Sequence, residues 1–359
     1  MHRSLLAIAA ISFSAACGGS ASKDSTTAGA GAPAAQASTR SGADLTGAGA
    51  TFPYPLYSKW FDAYATKTGV KINYQSIGSG GGIRQLSEQT VDFGATDAPM
   101  SDSELGKAKG GAVLHFPTAL GAVVVIYNLP GVAAPLKLTG DVLAAIYQGQ
   151  ITKWNDARIA SLNTGVTLPA TDILVVHRSD GSGTSYVFTD YLASVSPAWA
   201  TKPGKGKEVQ WPVGLGAKGN EGVAGQVKQT PGALGYAELV YATQNKLSTA
   251  TMKNAAGEFV APSIASVTAA AAGASSKLPP TTDYRVSIVN APGAGVYPIS
   301  SFTWLLVYQK QADSAKGKKL TDFLRWALTD GQGMEAALDY APLPEAMRSA
   351  LVSRLATIQ

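Results

Sequence analysis

Cysteine occurs once in the 359 residues, at Cys17, and histidine three times. A single thiol excludes any intrachain disulfide, so the fold has to be held by its core rather than by covalent staples. His115 and His177 stand apart from any Cys, Asp or Glu cluster at metal-ligand spacing, so no metal site or other cofactor is expected and both read as packing or hydrogen-bonding residues. Charge is scarce too, at 15% of residues. The net +5 is spread thinly, with Lys202, Lys205 and Lys207 as its densest cluster and no aromatic residues interleaved, which argues against a nucleic-acid partner. No repeat of fixed period is present. What is there is a chain 45% apolar, with 39 Gly and 19 Pro scattered through short apolar segments. That composition excludes a disordered protein and predicts one or two domains with many tight turns.

The first residues read as a secretory signal over 1–16: His2 and Arg3 form a basic start, and the apolar run Leu5 to Phe13 is too short for a stable membrane span. Ser14-Ala15-Ala16-Cys17 resembles a bacterial lipobox, with Ser14 where Leu is usual. The resemblance implies a lipidated Cys17 and a membrane-anchored exported protein; ordinary cleavage nearby would instead yield a soluble periplasmic or secreted one. Residues 17–41 are Gly, Ala, Ser and Thr with almost no large apolar side chain, which predicts a flexible tether.

Folding is expected to start near Leu45. Tyr57, Trp60, Phe61 and Tyr64 stand at helical spacing within 54–65 and read as core. Strands are predicted at 70–74 and 91–95, a helix at 83–89, and a buried strand at 122–127. Thr139 is placed to cap a helix carrying Val142, Leu143, Ile146 and Tyr147, with Gly149 just past its end. A strand at 173–177 runs into a turn at 180–184 and a helix bearing Val187, Phe188 and Tyr191. A strand at 301–308 and helices at 318–328 and 346–355 complete the reading, while the Ala/Ser-rich stretch 261–280 reads as a mobile surface excursion. Alternation of this kind predicts an α/β fold with mostly parallel sheets flanked by helices.

Three turns bearing Gly and Ser or Thr precede helices: Gly47-Ala48-Gly49-Ala50-Thr51-Phe52, Gly78-Ser79-Gly80-Gly81-Gly82, and Asp180-Gly181-Ser182-Gly183-Thr184. Helix starts present unpaired N–H groups and the positive end of the dipole, and glycine admits an anion close to that backbone. Three such turns point to a shared anion site. Arg178 adds a planar fork of donors suited to a tetrahedral oxyanion. Asp97 is the odd member, since a carboxylate repels an anion unless the ligand carries a proton.

Nearly collinear stretches then carry a resemblance: LTGAGATFPYPLYSKW, YQSIGSGGGIRQL, TVDFGATDAPMSD, HRSDGSGTSYVFTDYL, WPVGLGAKGNEGVAG, PGALGYAEL and LDYAPLP. Together they resemble the phosphate-binding proteins of bacterial phosphate ABC transporters, over almost the whole chain beyond the tether. The resemblance implies a two-lobed periplasmic-binding-protein fold of type II with the ligand in the cleft, lobe one from 42–120 and 299–359 and lobe two from 121–298. It implies a monomer that captures inorganic phosphate and delivers it to permease subunits, without catalysis. Carried over residue by residue, it assigns phosphate donors to Thr51, the Phe52 N–H, Ser79, Arg178, Ser182, the Gly183 N–H and Thr184. Asp97 becomes the acceptor and Asp180 the partner that orients Arg178. Gly80 stands where the family often has a second Ser.

Two other readings are weaker. Gly214-Leu215-Gly216-Ala217-Lys218-Gly219, with Glu238 about 20 residues on, fits a dinucleotide fingerprint, but 211–213 makes a poor strand, and Gly222 and Gly225 weaken the helix that should follow. A secreted phosphatase could use the same oxyanion cradle, yet it needs a metal or an activated nucleophile, and Ser182 has no evident His/Asp partners. A phosphate sensor would share the site and differ only in partner.

Overall fold

The computed structural model describes residues 44–132, 135–275, 278–279 and 282–359; Cys17, the signal segment and the tether lie outside them. The described chain opens with β1 (Leu45–Gly49), α1 (Tyr54–Thr68), β2 (Ile72–Ser76), α2 (Ser79–Ser87), β3 (Phe93–Thr96) and the single turn α3 (Asp102–Leu105). β1 lies between β2 and β3 and runs parallel to both, as strands joined by crossover helices must. The predicted stripe of α1 is its core face: Tyr57, Trp60, Phe61 and Tyr64 are buried, and the Trp60 indole N–H donates to Gly331 O at 2.8 Å. β2 and β3 each begin two residues later than the periodicity suggested. The helix expected from residue 83 begins at Ser79, so Gly80, Gly81 and Gly82 are helical. Packing overrides their poor helix propensity: a side chain at Gly82 would strike the Gly49 Cα and lie 2.5 Å from Ala48 O, so the start of α2 rests directly on the β1 backbone.

β4 (Val113–Tyr127) follows, and the predicted strand is only its second half. The middle of the chain then builds β5 (Lys137–Leu138), α4 (Gly140–Tyr147), α5 (Ala157–Ala160), β6 (Leu174–Arg178), α6 (Gly183–Val195), α7 (Pro197–Thr201), β7 (Leu215–Ala217), α8 (Gly219–Gln229), β8 (Ala233–Glu238) and α9 (Leu239–Asn245). Thr139 holds the N-cap position of α4 without a side-chain capping bond. Helix α8 forms in spite of Gly222 and Gly225, contrary to the weak-helix expectation, because Val223, Ala224 and Val227 bury one face. After β9 (Ser248–Thr249), β10 (Thr251–Lys253) and β11 (Phe259–Val260) comes α10 (Ile264–Gly273). This helix corrects the reading of 261–280 as a mobile excursion. Ser263 and Ser266 form a capping box, and Val267, Ala270 and Ala271 are buried, so an Ala-rich stretch that looked coreless is a capped helix on the core. The chain ends with β12 (Ser300–Tyr308), α11 (Ser314–Leu328) and α12 (Glu345–Arg354).

Among the described residues the main sheet has nine strands, ordered β2-β1-β3-β12-β4-β8-β6-β7, with β9 also on β4. Its two outer parts, β2-β1-β3 and β8-β6-β7, are parallel, and its centre is antiparallel. β4 links them by changing partner: Val113 to Ala122 pair with β12, and Val123 to Tyr127 pair with β8. Pro117, which has no N–H to give, sits opposite the irregularity at Thr303/Trp304 where the ladder is already broken.

Candidate anion site between the two halves

All three Gly-bearing turns come to one place, and each does so at the end of a parallel strand. β1 delivers Thr51 and Phe52 into the turn before α1, α2 begins at Ser79 just after β2, and β6 ends in Arg178 just before α6. β3 places Asp97 immediately past its last residue. Ligand sites in open α/β sheets lie at such strand ends. Thr51, Ser79, Asp97, Arg178, Ser182 and Thr184 are all buried, none more than 3% exposed, so the two halves close over them.

The halves touch through backbone. Gly80 N–H donates to Gly181 O at 2.8 Å. A methyl on Gly183 would strike Ser79 Oγ and come within 2.7 Å of both the Asp97 N and its Oδ2, so only glycine lets the start of α6 come this close. At the rim, Lys207 pairs with the Glu104 carboxylate at 2.8 Å, and Arg285 donates to Met100 O at 3.0 Å and Asp102 Oδ1 at 2.7 Å.

Arg178 is held in a fork by Asp180, with Nε–Oδ1 at 2.7 Å and Nη2–Oδ2 at 2.5 Å. Gly219 N–H supports the same carboxylate at 3.1 Å. Although burial alone would raise the Asp180 pKa, the bonds and charge of Arg178 and the Gly219 N–H hold it below the usual carboxylate value. The third guanidinium nitrogen, Nη1, reaches Thr184 Oγ1 at 3.4 Å. Ser182 caps α6, its Oγ accepting from Ser185 N–H at 2.9 Å. Phe52 buries its ring against Gly121, and its carbonyl accepts the Tyr340 hydroxyl at 2.6 Å.

Asp97 is the electrostatic outlier. Burial pushes its pKa up from 3.8 to about 7, against the opposing pull of Thr303, Arg178 and Ser79. Oδ1 accepts from Thr303 Oγ1 at 2.8 Å, whereas Oδ2 is buried with no hydrogen-bond partner among the described residues. Its backbone N–H donates to Ser79 Oγ at 3.2 Å.

Two members of this site escaped the sequence reading. Thr303 lay in a stretch legible only as strand. Asn220, just past the G-x-G-x-x-G stretch, donates to both Thr51 and Thr184; the unusual run of glycines around it was the one available signal. His115 Nε2 accepts from Met100 N–H and His177 Nδ1 contacts Arg178 O, so neither hydrogen-bonds Ser182. Among the described residues no cluster of three or more His, Cys, Asp or Glu could hold a metal ion.

Known proteins of similar sequence and fold identify the family. A family model described as the PBP superfamily domain matches residues 32–330. The chain is 49% identical over 301 residues to the phosphate-binding protein PstS of Xylella fastidiosa, covering 84% of this chain and 81% of that one. It is 42% identical over 326 residues to PstS of Haemophilus influenzae, covering 90% and 95%. Among solved structures, a phosphate-binding protein from Stenotrophomonas maltophilia superposes with a TM-score of 0.68 at 22% identity, covering 86% of this chain and 93% of that one. A high-affinity periplasmic phosphate-binding protein solved with phosphate gives 0.67 at 24% identity over the same shares. A two-lobed α/β fold, a buried ring of donors at its strand ends and relatives this similar lead to one assignment: the chain belongs to the PBP superfamily and, within it, to the phosphate-binding protein PstS family.

Proposed function

We propose that this protein captures inorganic phosphate between its two halves and hands it to the permease of an ABC transporter, with no chemistry on the ion. The observation that carries the reading is Asp97 Oδ2, a buried acceptor without a partner among Thr51, Ser79, Arg178, Ser182 and Thr184. An unpartnered buried acceptor is costly, and a ligand that accepts from the donors and returns one proton to Asp97 removes that cost. Near neutrality phosphate keeps a P–OH and sulfate has none. The Phe52 and Gly183 N–H groups complete the donor set, and Asp180 orients Arg178. Absence of catalysis is supported by the family, whose relatives are named as phosphate-binding proteins. Calorimetric titration of the purified protein with phosphate and with sulfate above about pH 7, where Asp97 is ionised, tests the assignment: saturable binding of phosphate alone is expected, and equal binding of both ions would overturn it.

Lobe one is assigned to 42–120 with 299–359, and lobe two to 121–298. Support comes from the partner change in β4 between Ala122 and Val123, and from the Val123 N–H bond to Ile299 O at 2.9 Å. Both chain crossings thus lie side by side and serve as the hinge. The protein is exported as a monomer to the periplasm or cell surface, with Cys17 carrying a lipid anchor. Mass spectrometry of the membrane fraction should find a diacylglyceryl-modified Cys17 at the mature N-terminus, and Cys17→Ser should release the protein; an unmodified Cys17, or cleavage elsewhere, would refute the anchor.

A further inference from the structure

We propose that Asn220 is a positioning and specificity-determining residue of the phosphate site, fixing the Thr51 and Thr184 hydroxyls as pure donors toward the ion. The inference rests on the phosphate reading above. Asn220 sits in the first turn of α8, fully buried, and touches three parts of the chain that approach the site separately. Its Oδ1 accepts from Glu238 N–H at 2.9 Å. Since a backbone N–H can only donate, the atom facing it has to be the amide oxygen, and this orients the whole side chain. Nδ2 must therefore point the other way. It lies 2.7 Å from Thr51 Oγ1 and 3.0 Å from Thr184 Oγ1, and an amide NH2 offers one proton to each.

A hydroxyl has two acceptor lone pairs and one proton. Thr51 Oγ1 accepts from Asn220 Nδ2 and from Asn220 N–H at 3.2 Å. Thr184 Oγ1 accepts from Asn220 Nδ2 and from Arg178 Nη1 at 3.4 Å. Both lone pairs of both hydroxyls are thus engaged, and each can meet a ligand only with its O–H. A hydroxyl free to rotate could equally accept a proton from the ligand. Here that choice is removed from both, so neither threonine competes with Asp97 for a P–OH. The same amide also ties a lobe-one residue, Thr51, to a lobe-two residue, Thr184, so it can orient both only when the cleft is closed.

Asn220→Asp is the sharpest probe. The variant keeps an oxygen for Glu238 N–H, and with it the local fold, but replaces the donor NH2 by an acceptor that invites both threonine protons away from the ion. Phosphate titrations are expected to show a loss of at least about 100-fold for Asn220→Asp and roughly tenfold for Asn220→Ala. Repulsion between the introduced carboxylate and the anion alone could mimic the first result, so the deciding measurement is a mutant cycle with uncharged partners. Asn220→Ala is combined with Thr51→Val plus Thr184→Val, and every variant is titrated with inorganic phosphate after its ligand-free melting temperature confirms folding. If Asn220 acts through the hydroxyls, its removal costs little once they are gone. Additive losses would overturn the role while leaving phosphate capture intact. Should Asn220→Ala prove unfolded, the uncharged Asn220→Ser enters the same cycle, where additivity again refutes the role. A wild-type protein that gives no phosphate heat defeats the phosphate reading itself, and this inference with it.

Discussion

Replacing Arg178 with methionine is expected to weaken phosphate binding by at least about 100-fold, roughly 3 kcal/mol, while the protein still folds. Two losses coincide. Among the described residues Arg178 is the buried cation at the site, so the ion loses it, and Asp180 loses the fork that neutralises it at 2.7 and 2.5 Å, leaving a carboxylate near an anion with backbone N–H groups, that of Gly219 among them, for support. Removing one partner of a buried pair generally costs more than the pair contributed, because the other charge is stranded. Arg178→Lys should fall in between, since a point charge cannot both fill the Asp180 fork and reach Thr184. Asp180→Asn added to Arg178→Met should recover part of the loss. Calorimetry on the four proteins decides the matter: Arg178→Met binding within about threefold of wild type would show that the fork does not face the ion.

Asp97→Asn is expected to collapse discrimination between phosphate and sulfate by at least about 100-fold, mainly because sulfate binding improves. In the wild type above about pH 7 a bound sulfate sets acceptor against acceptor at Asp97 Oδ2, with neither side carrying a proton. An asparagine amide can turn its NH2 to the ion and remove that conflict. The pH dependence has a definite sign. The Asp97 pKa is raised from 3.8 to about 7 by burial, so between those values the closed, ligand-free protein holds more protons than the unfolded chain. Its stability therefore falls as pH rises through that window, and the penalty is complete above about 7. Hydration of Asp97 on cleft opening relieves this cost, so ionisation favours the open form. Below about 7 a protonated Asp97 can donate to sulfate, and wild-type sulfate binding should strengthen as pH falls. Asp97→Asn should lack that slope. Parallel titrations of both ions at several pH values measure both effects, and unchanged discrimination in the mutant would remove Asp97 from the site.

The sequence was most legible where one residue type has few physical uses. Glycine beside Ser or Thr ahead of a helix, repeated three times, pointed to an anion site before any contact was known. An aspartate among such donors pointed to a protonated ligand. The aromatic stripe of α1 and the β-branched run at the end of β4 were equally plain, because periodicity and burial are local signals. Local signals misled where packing outweighed propensity. Gly80, Gly81 and Gly82 are helical because α2 has to approach β1 without side chains, and the alanines of α10 form a buried face only against a core the local stretch cannot reveal.

By itself, then, the sequence determined which residue types stand at the strand ends: Gly- and hydroxyl-bearing turns suited to an anion, and an aspartate among them suited to a protonated one. Tertiary structure alone decided the polarity and the closure. Thr51, Thr184, Asn220 and Glu238 are far apart in the chain, and no spacing rule links them. The bonds that leave each threonine only a proton to give exist because α8 carries Asn220 to the point where the two lobes meet. The partner of the Asp97 carboxyl is likewise Thr303, which comes from β12, a strand that returns from the far end of the chain. A hydroxyl reads the same in sequence whether it donates or accepts; its neighbours in space make it one or the other.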